Sequence, residues 1–124
     1  MQGKVADASV LGALLFVEPR SEEADLLIGQ DDLYEPRLLA FELGSVALKK
    51  VRRDGEPEKV IVRQLNAISD MTIIWIDVSA AEVLRLALRT GLTAYDASYL
   101  QVAHMMDLPL VTFDKQLEEA ARRL

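Results

Sequence analysis

The strongest constraint on the fold of this chain is the alternation of short apolar segments with longer helical ones. Lys4-Val5-Ala6 and Leu33-Tyr34 are short apolar segments, and residues 72–77 are β-branched and aromatic, as strands are. Residues 108–112 form a fourth such segment, and helical patterns separate all four. Short strands that alternate with helices predict an α/β fold with a central parallel sheet flanked by helices.

Local signals predict where the helices begin and end. Ser9 is expected to cap the first helix, which stops before Pro19, and Ser21 is expected to cap the second. Pro36 suits a helix N-terminus, and Ser79 with Glu82 forms a capping box. The remaining helices are predicted over residues 37–53, 57–69, 79–91, 93–106 and 115–124.

The composition favours one globular domain over residues 1–124. Apolar residues make up 51% of the chain and charged residues 27%, which is enough for a core of its own. Without cysteine there are no disulfides and no thiolate zinc sites, as is common in the cytoplasm. No apolar run reaches the ~20 residues of a membrane span, and the early Asp7 argues against a signal peptide. We therefore expect a soluble, unprocessed, cytoplasmic protein that does not enter a membrane.

The net charge of −6 argues at first against a nucleic-acid partner, because phosphate binding usually requires a basic surface. However, carboxylates that bind a metal ion also make the net charge negative, and the bound ion would make the local electrostatic potential positive. Basic residues are concentrated at the end of one predicted helix. These residues are candidate RNA contacts. Alternatively, they are solvated side chains whose positive charges interact favourably with the helix macrodipole. They are Lys49, Lys50, Arg52 and Arg53.

Two aspartates follow predicted strands at opposite ends of the chain. Asp7 ends the first strand, and Asp114 comes shortly after the last. If these strands are parallel neighbours, the two carboxylates share one edge of the sheet, where function gathers in α/β folds. The alternative is that each aspartate only caps the helix after it.

Glu42 lies on a mostly apolar face of its predicted helix. Leu38 and Val46 are on the same face, and the nearest cation there is Lys49, two turns away. A buried charge is costly unless it is paired or binds metal. Glu42 is therefore a candidate ligand, unless it lies at the rim of the face and reaches solvent.

Asp96 is three residues after Thr93, a spacing that resembles a capping box with Asp in place of Glu. Its forward neighbours Tyr99, Leu100 and Ala103 form a core-facing stripe, however, so Asp96 also suits a metal site. Carboxylates ~5 Å apart repel by about 3 kcal/mol per pair at an effective dielectric near 20. A fold that brings several together needs a hard divalent cation such as Mg²⁺ or Mn²⁺ to offset that repulsion.

Four motifs in this chain recur, in the same order, in PIN-domain proteins. They are Val5-Ala6-Asp7-Ala8-Ser9, Phe41-Glu42-Leu43, Thr93-Ala94-Tyr95-Asp96-Ala97-Ser98-Tyr99-Leu100 and Leu110-Val111-Thr112-Phe113-Asp114. The chain most resembles the short VapC-type ribonuclease toxins of toxin–antitoxin pairs, over nearly its whole length and with the family's spacing.

The resemblance implies a PIN-like three-layer sandwich and a Mg²⁺ or Mn²⁺ site built from Asp7, Glu42, Asp96 and Asp114. It also implies that Ser9 and Thr112 support the site by hydrogen bonding. The implied reaction is hydrolysis of RNA phosphodiester bonds within the strand by a metal-activated water. The implied partners are the RNA substrate, a second copy of the chain and a small antitoxin protein that blocks the site.

Two other functions stay open at this point. One is a catalytically silent PIN-like module for binding or assembly, which metal binding without RNA cleavage would favour. The other is a Mg²⁺-dependent phosphoacceptor signalling domain. That class needs paired acids after the first strand and a lysine after a late strand, whereas Asp7 is followed by Ala8 and the late strand leads to Asp114.

Overall fold

The alternation of strands and helices expected from the sequence is present in the computed structural model, which describes residues 3–124. The strands are β1 (Gly3–Ala6), β2 (Asp32–Pro36), β3 (Ile73–Ile76) and β4 (Leu110–Val111). The helices are α1 (Ala8–Leu15), α2 (Ser21–Ile28), α3 (Leu38–Arg52), α4 (Glu58–Asn66), α5 (Ala80–Thr90), α6 (Ala94–Met106) and α7 (Lys115–Arg123). A 3₁₀ turn, Ala67–Asp70, follows α4.

The four strands form one parallel sheet in the order β3-β2-β1-β4, as predicted. β1 pairs with β2 through Lys4 and Leu33, and with β4 through Ala6 and Val111. Successive strands move from β1 to β3 in one direction, and the chain then returns past β1 to place β4 on its other side. The order therefore reverses at β1, which is where parallel sheets open a crevice beyond the ends of their strands.

The helices cover both faces of the sheet. Crossovers between parallel strands are right-handed, so α1–α4 lie on one face and α5–α6 on the other. Two groups of buried side chains agree with this arrangement. The larger is centred on β1, α1 and α3, and the smaller joins α5, α6 and α7 through Leu86, Leu100 and Leu117. The three-layer α/β architecture is confirmed.

Several predicted boundaries were wrong by a few residues. α1 is capped by Asp7 and not by Ser9, because the Asp7 carboxylate accepts the Val10 N–H. Ser21 is the first residue of α2, and Arg20 before it makes no side-chain cap. Pro36 is the last residue of β2 and not the first of a helix, since it pairs there with Ile76.

The last predicted strand is shorter than expected. Only Leu110 and Val111 form β4, although Val5 N–H also bonds the Pro109 carbonyl and Asp7 N–H bonds the Val111 carbonyl. Among residues 3–124, no helix is long and apolar enough to cross a membrane.

Candidate active site

Asp7 lies where β1 passes into α1, and its carboxylate is held from both sides. Oδ1 accepts the Ser9 hydroxyl at 2.6 Å and the Val10 N–H at 3.3 Å. Oδ2 accepts the Thr112 hydroxyl at 2.6 Å. Asp7 is therefore buried, oriented and supplied with donors, and Oδ2, which accepts only one hydrogen bond, keeps acceptor capacity for another ligand.

The two hydroxyls that bind Asp7 also connect it to the end of β4. Ser9 Oγ accepts the Phe113 N–H at 3.0 Å, and Thr112 Oγ1 accepts the Asp114 N–H at 3.0 Å. Asp114 in turn caps α7 through the Leu117 N–H at 2.9 Å. Asp7 and Asp114 therefore each cap the helix that follows, and the two residues also lie at the same edge of the sheet.

Glu42 lies on α3 at intermediate exposure, and its partner is a phenol rather than a cation. The Tyr99 hydroxyl donates to Glu42 Oε1 at 2.5 Å. Tyr99 itself is fully buried on α6, three residues after Asp96. Burial raises the pKa of the Tyr99 phenol, and its hydrogen bond to Glu42 raises that pKa further. Tyr99 stays neutral and orients Glu42, a role that the sequence pattern did not indicate.

Asp96 is in the first turn of α6, where its backbone N–H bonds the Thr93 hydroxyl at 3.1 Å. Burial raises the pKa of the Asp96 carboxyl to about 6, with further contributions from the charges of Asp114, Asp7 and Glu42. The structure therefore places all four matched acids in one electrostatic neighbourhood.

The donor chemistry of this neighbourhood suits a hard divalent cation, which prefers carboxylate oxygen. A cation would also relieve the repulsion that raises the pKa of Asp96. Within the described part of the chain, no three acidic side chains approach closely enough to form a complete metal cluster. Mg²⁺ commonly binds through one or two carboxylates and several waters, so the residues present fit such an ion.

Glu35 on β2 is a further carboxyl near Asp7, and sequence reasoning missed it. Its side chain is fully buried, and Oε2 accepts the Ala6 N–H at 2.8 Å. Among residues 3–124, Oε1 has no hydrogen-bond partner. Burial raises the pKa of Glu35 well above its ordinary value, against the effect of the Ala6 bond, and the charge of Asp7 adds to the rise. The available signal was a charged residue between the apolar segment Leu33-Tyr34 and Pro36.

The four basic residues at the end of α3 lie in different environments. Lys49 lines a groove together with Glu42, whereas Lys50 pairs with Glu18 at 2.8 Å. Arg52 and Arg53 are exposed at the helix end. The four do not form one patch with a single role.

Comparison with known proteins identifies the family. A family model described as PIN domain matches residues 4–123. The chain belongs to the PIN-domain family. The resemblance drawn from the four sequence motifs is thereby confirmed for this PIN domain.

Two relatives of this PIN domain are named as nucleases, both from Pyrobaculum aerophilum. Ribonuclease VapC3 is 34% identical over 126 residues, which span 93% of this chain and 92% of the relative. Exonuclease VapC9 is 36% identical over 80 residues, which span 64% of this chain and 60% of the relative.

Two solved structures share the fold of this PIN domain. The crystal structure of PAE2754 from Pyrobaculum aerophilum matches with a TM-score of 0.77 and 29% identity, over 96% of this chain and 79% of that one. Mycobacterium tuberculosis VapC20, a sarcin-ricin loop cleaving toxin, matches with a TM-score of 0.69 and 16% identity, over 94% of both chains. The second likeness supports the fold alone.

Proposed function

We propose that this PIN domain is a metal-dependent endoribonuclease and the toxin of a toxin–antitoxin pair. The observation that carries the proposal is the hydroxyl of Thr112, which donates to Asp7 and accepts from the backbone of Asp114. Burial, followed by the charges of Asp114, Asp7 and Glu42, raises the pKa of Asp96 to about 6, which supports a site shared by these four acids. The relatives named as VapC nucleases support the same activity. In this proposal Asp7, Glu42, Asp96 and Asp114 hold Mg²⁺ or Mn²⁺.

The bound cation would supply a water nucleophile at neutral pH and stabilise charge on the phosphodiester. A water oxygen bonds to phosphorus, one P–O ester bond of the RNA breaks, and the leaving oxygen takes up a proton in place of the one that the water loses, so that one strand end carries a phosphate and the other a hydroxyl. The protein's own contribution is to hold its carboxylates in place beforehand. Ser9 and Thr112 fix Asp7, and Tyr99 fixes Glu42, so little side-chain entropy is lost when the cation and substrate arrive.

The partners follow from the same proposal. RNA is the substrate, and a small antitoxin protein would block the site. A second copy of the chain is also proposed as a partner. This homodimer is supported by an apolar groove of 430 Å³ between α5 and the ends of β2 and β3, with exposed Leu84 on its wall. A cytoplasmic location stays a prediction from the cysteine-free sequence.

The test is cleavage of a panel of single-stranded and structured RNAs in Mn²⁺, Mg²⁺ or EDTA, with Asp96→Asn beside the unchanged protein. Cleavage that needs metal and disappears in the variant is expected. A circular RNA in the panel distinguishes cleavage within the strand from removal of end nucleotides, because only an endonuclease opens a circle. Equal activity in both proteins would contradict the site assignment, and metal binding without any cleavage would favour a silent binding module.

A further inference from the structure

A groove of 380 Å³ runs from the candidate active site along α3 and the start of α6. Two aromatic side chains line it and are largely exposed: Phe41 at 78% and Tyr95 at 63%. Glu42 also lines the groove, and Lys49 lies two helical turns further along α3. The remaining lining residues are Ala8, Leu38, Ser45 and Val46.

The aromatic residues are placed by their sequence neighbours. Phe41 directly precedes Glu42, and Tyr95 directly precedes Asp96. The two rings are on different helices, α3 and α6, and both line the groove that Glu42 also lines. A strand whose phosphate reaches Glu42 along this groove therefore passes the two rings.

The charge of the chain limits how an RNA can be held there. With a net charge of −6, phosphate contacts alone provide little affinity. Of the two lysines at this end of α3, Lys49 lines the groove while Lys50 is paired with Glu18. Stacking of bases on aromatic rings is insensitive to net charge, and each stacked base contributes about 5- to 100-fold in affinity. Stacking also requires bases that are free of a duplex.

We propose that Phe41 and Tyr95 are stacking platforms for unpaired RNA bases and that Lys49 binds a phosphate of the same strand. Only nucleotides that are free of a duplex can occupy these two platforms. The inference rests on the proposed nuclease function, because Glu42, a proposed metal ligand, lines the same groove and so selects RNA as its occupant. A protein segment seated on the same rings is the competing outcome.

The test measures binding of a fluorescent single-stranded RNA, and of a duplex of the same sequence, in EDTA by anisotropy. Phe41→Leu and Tyr95→Leu keep apolar surface but remove the ring, and each is expected to weaken single-strand binding about tenfold. Phe41→Trp enlarges the ring and is expected to strengthen it. Leu26→Ala is the matched control, since Leu26 is a large apolar residue exposed at 82% on α2, away from the groove.

Cleavage kinetics separate this inference from the proposed function. Phe41→Leu and Tyr95→Leu should raise KM for a cleaved single strand with little change in kcat, while the duplex binds weakly to every variant. Normal KM values in both leucine variants of an active nuclease would overturn the stacking inference alone. A change in oligomeric state by sedimentation, with RNA affinity unaltered, would assign the rings to a protein interface instead. Absence of both RNA binding and cleavage in the unchanged protein would overturn the inference together with the nuclease function.

Discussion

The side chain of Glu35 takes the place of a main-chain hydrogen bond partner for Ala6. The backbone pairing of β1 with β2 ends at Lys4 and Leu33. Beyond this point, the Ala6 N–H donates to Glu35 Oε2 at 2.8 Å. This occurs one residue before Asp7. A buried N–H left without an acceptor costs about 1–3 kcal/mol, so the carboxyl stabilises the end of β1.

The raised pKa of Glu35 predicts that stability falls as pH rises above 4.5, the ordinary value for a glutamic acid. The folded protein keeps a proton that the unfolded chain has already released, so the free energy of unfolding falls as pH rises toward the folded pKa. One such group gives a slope of up to about 1.4 kcal/mol per pH unit. Thermal unfolding of the metal-free protein at a series of pH values above 4.5 should show this decline. Glu35→Gln keeps an acceptor for Ala6 but does not titrate, and it should flatten the curve; an unchanged slope would contradict this origin.

Asp96→Asn tests the crowding of the four acids. The pKa of Asp96 is raised to about 6. In the metal-free protein the free energy of unfolding therefore falls as pH rises from about 4 to 6, and it stays at the lower value above pH 6. The variant should raise Tm at pH 7.5 in EDTA by about 1–3 °C and reduce cleavage at least about 100-fold. Asp54→Asn in the exposed turn after α3 removes the same charge and should do neither. A lower Tm in Asp96→Asn would count against a repulsive site.

Thr112→Val removes the hydroxyl that donates to Asp7 and accepts from Asp114 while keeping the shape of the side chain. Loss of such a support typically lowers metal affinity about 10- to 100-fold. Mn²⁺ titration by calorimetry measures this directly. Thr90→Val is the matched control, because its hydroxyl also donates and accepts once, to Leu86 and from Leu92, on α5. Equal Mn²⁺ affinity in the two variants would remove Thr112 from the site.

Tyr99→Phe frees Glu42 from its buried phenol partner. We expect kcat to fall about 10- to 100-fold, as for other groups that orient metal ligands, with KM nearly constant. The free energy of unfolding should fall by about 1 kcal/mol for the lost hydrogen bond. The control is Tyr34→Phe, which removes a phenol hydroxyl from β2 instead of from α6. A loss of stability in Tyr99→Phe without a loss of kcat would make the tyrosine structural only.

Lys49 and Lys50 are neighbours with different expected effects. Lys49→Gln should raise KM and reduce the salt dependence of RNA binding by about 0.7 in log–log slope, the value for one phosphate contact on a single strand. Lys50→Gln breaks the ion pair with Glu18. The Lys50 side chain is only 16% exposed, so this loss should lower Tm. Steady-state kinetics at several salt concentrations distinguish the two. A larger effect on KM in Lys50→Gln than in Lys49→Gln would reverse this assignment.

The fold and the matched acids were predictable because their signals are local. Strand and helix periodicity, and motifs of three to eight residues, indicate β1, α3 and α6 without knowledge of any distant contact. The partners of the acids were not predictable in this way. Glu35 meets Ala6 across 29 positions, and Tyr99 meets Glu42 across 57, so only the assembled sheet brings them together.

The cap of α1 illustrates the same limit at short range. Asp7 and Ser9 are both good capping residues, and composition does not choose between them. The choice depends on where β1 ends, which is set by pairing of Ala6 with Val111 at the far end of the chain. Asp7 therefore caps α1, and Ser9 is left to bind Asp7 and Phe113.

β4 has only two residues, and it is joined to β1 as much by the hydroxyls of Ser9 and Thr112 as by its own backbone. We expect the segments around Asp7 and Phe113 to open and close together. Fraying of β4 would take the Thr112 hydroxyl away from the Asp7 carboxylate, so the proposed nuclease centre would exist only while β4 is paired with β1. Amide hydrogens at Asp7 and Phe113 would then exchange at a common rate, and a nascent chain would have no formed centre until its last strand had been made.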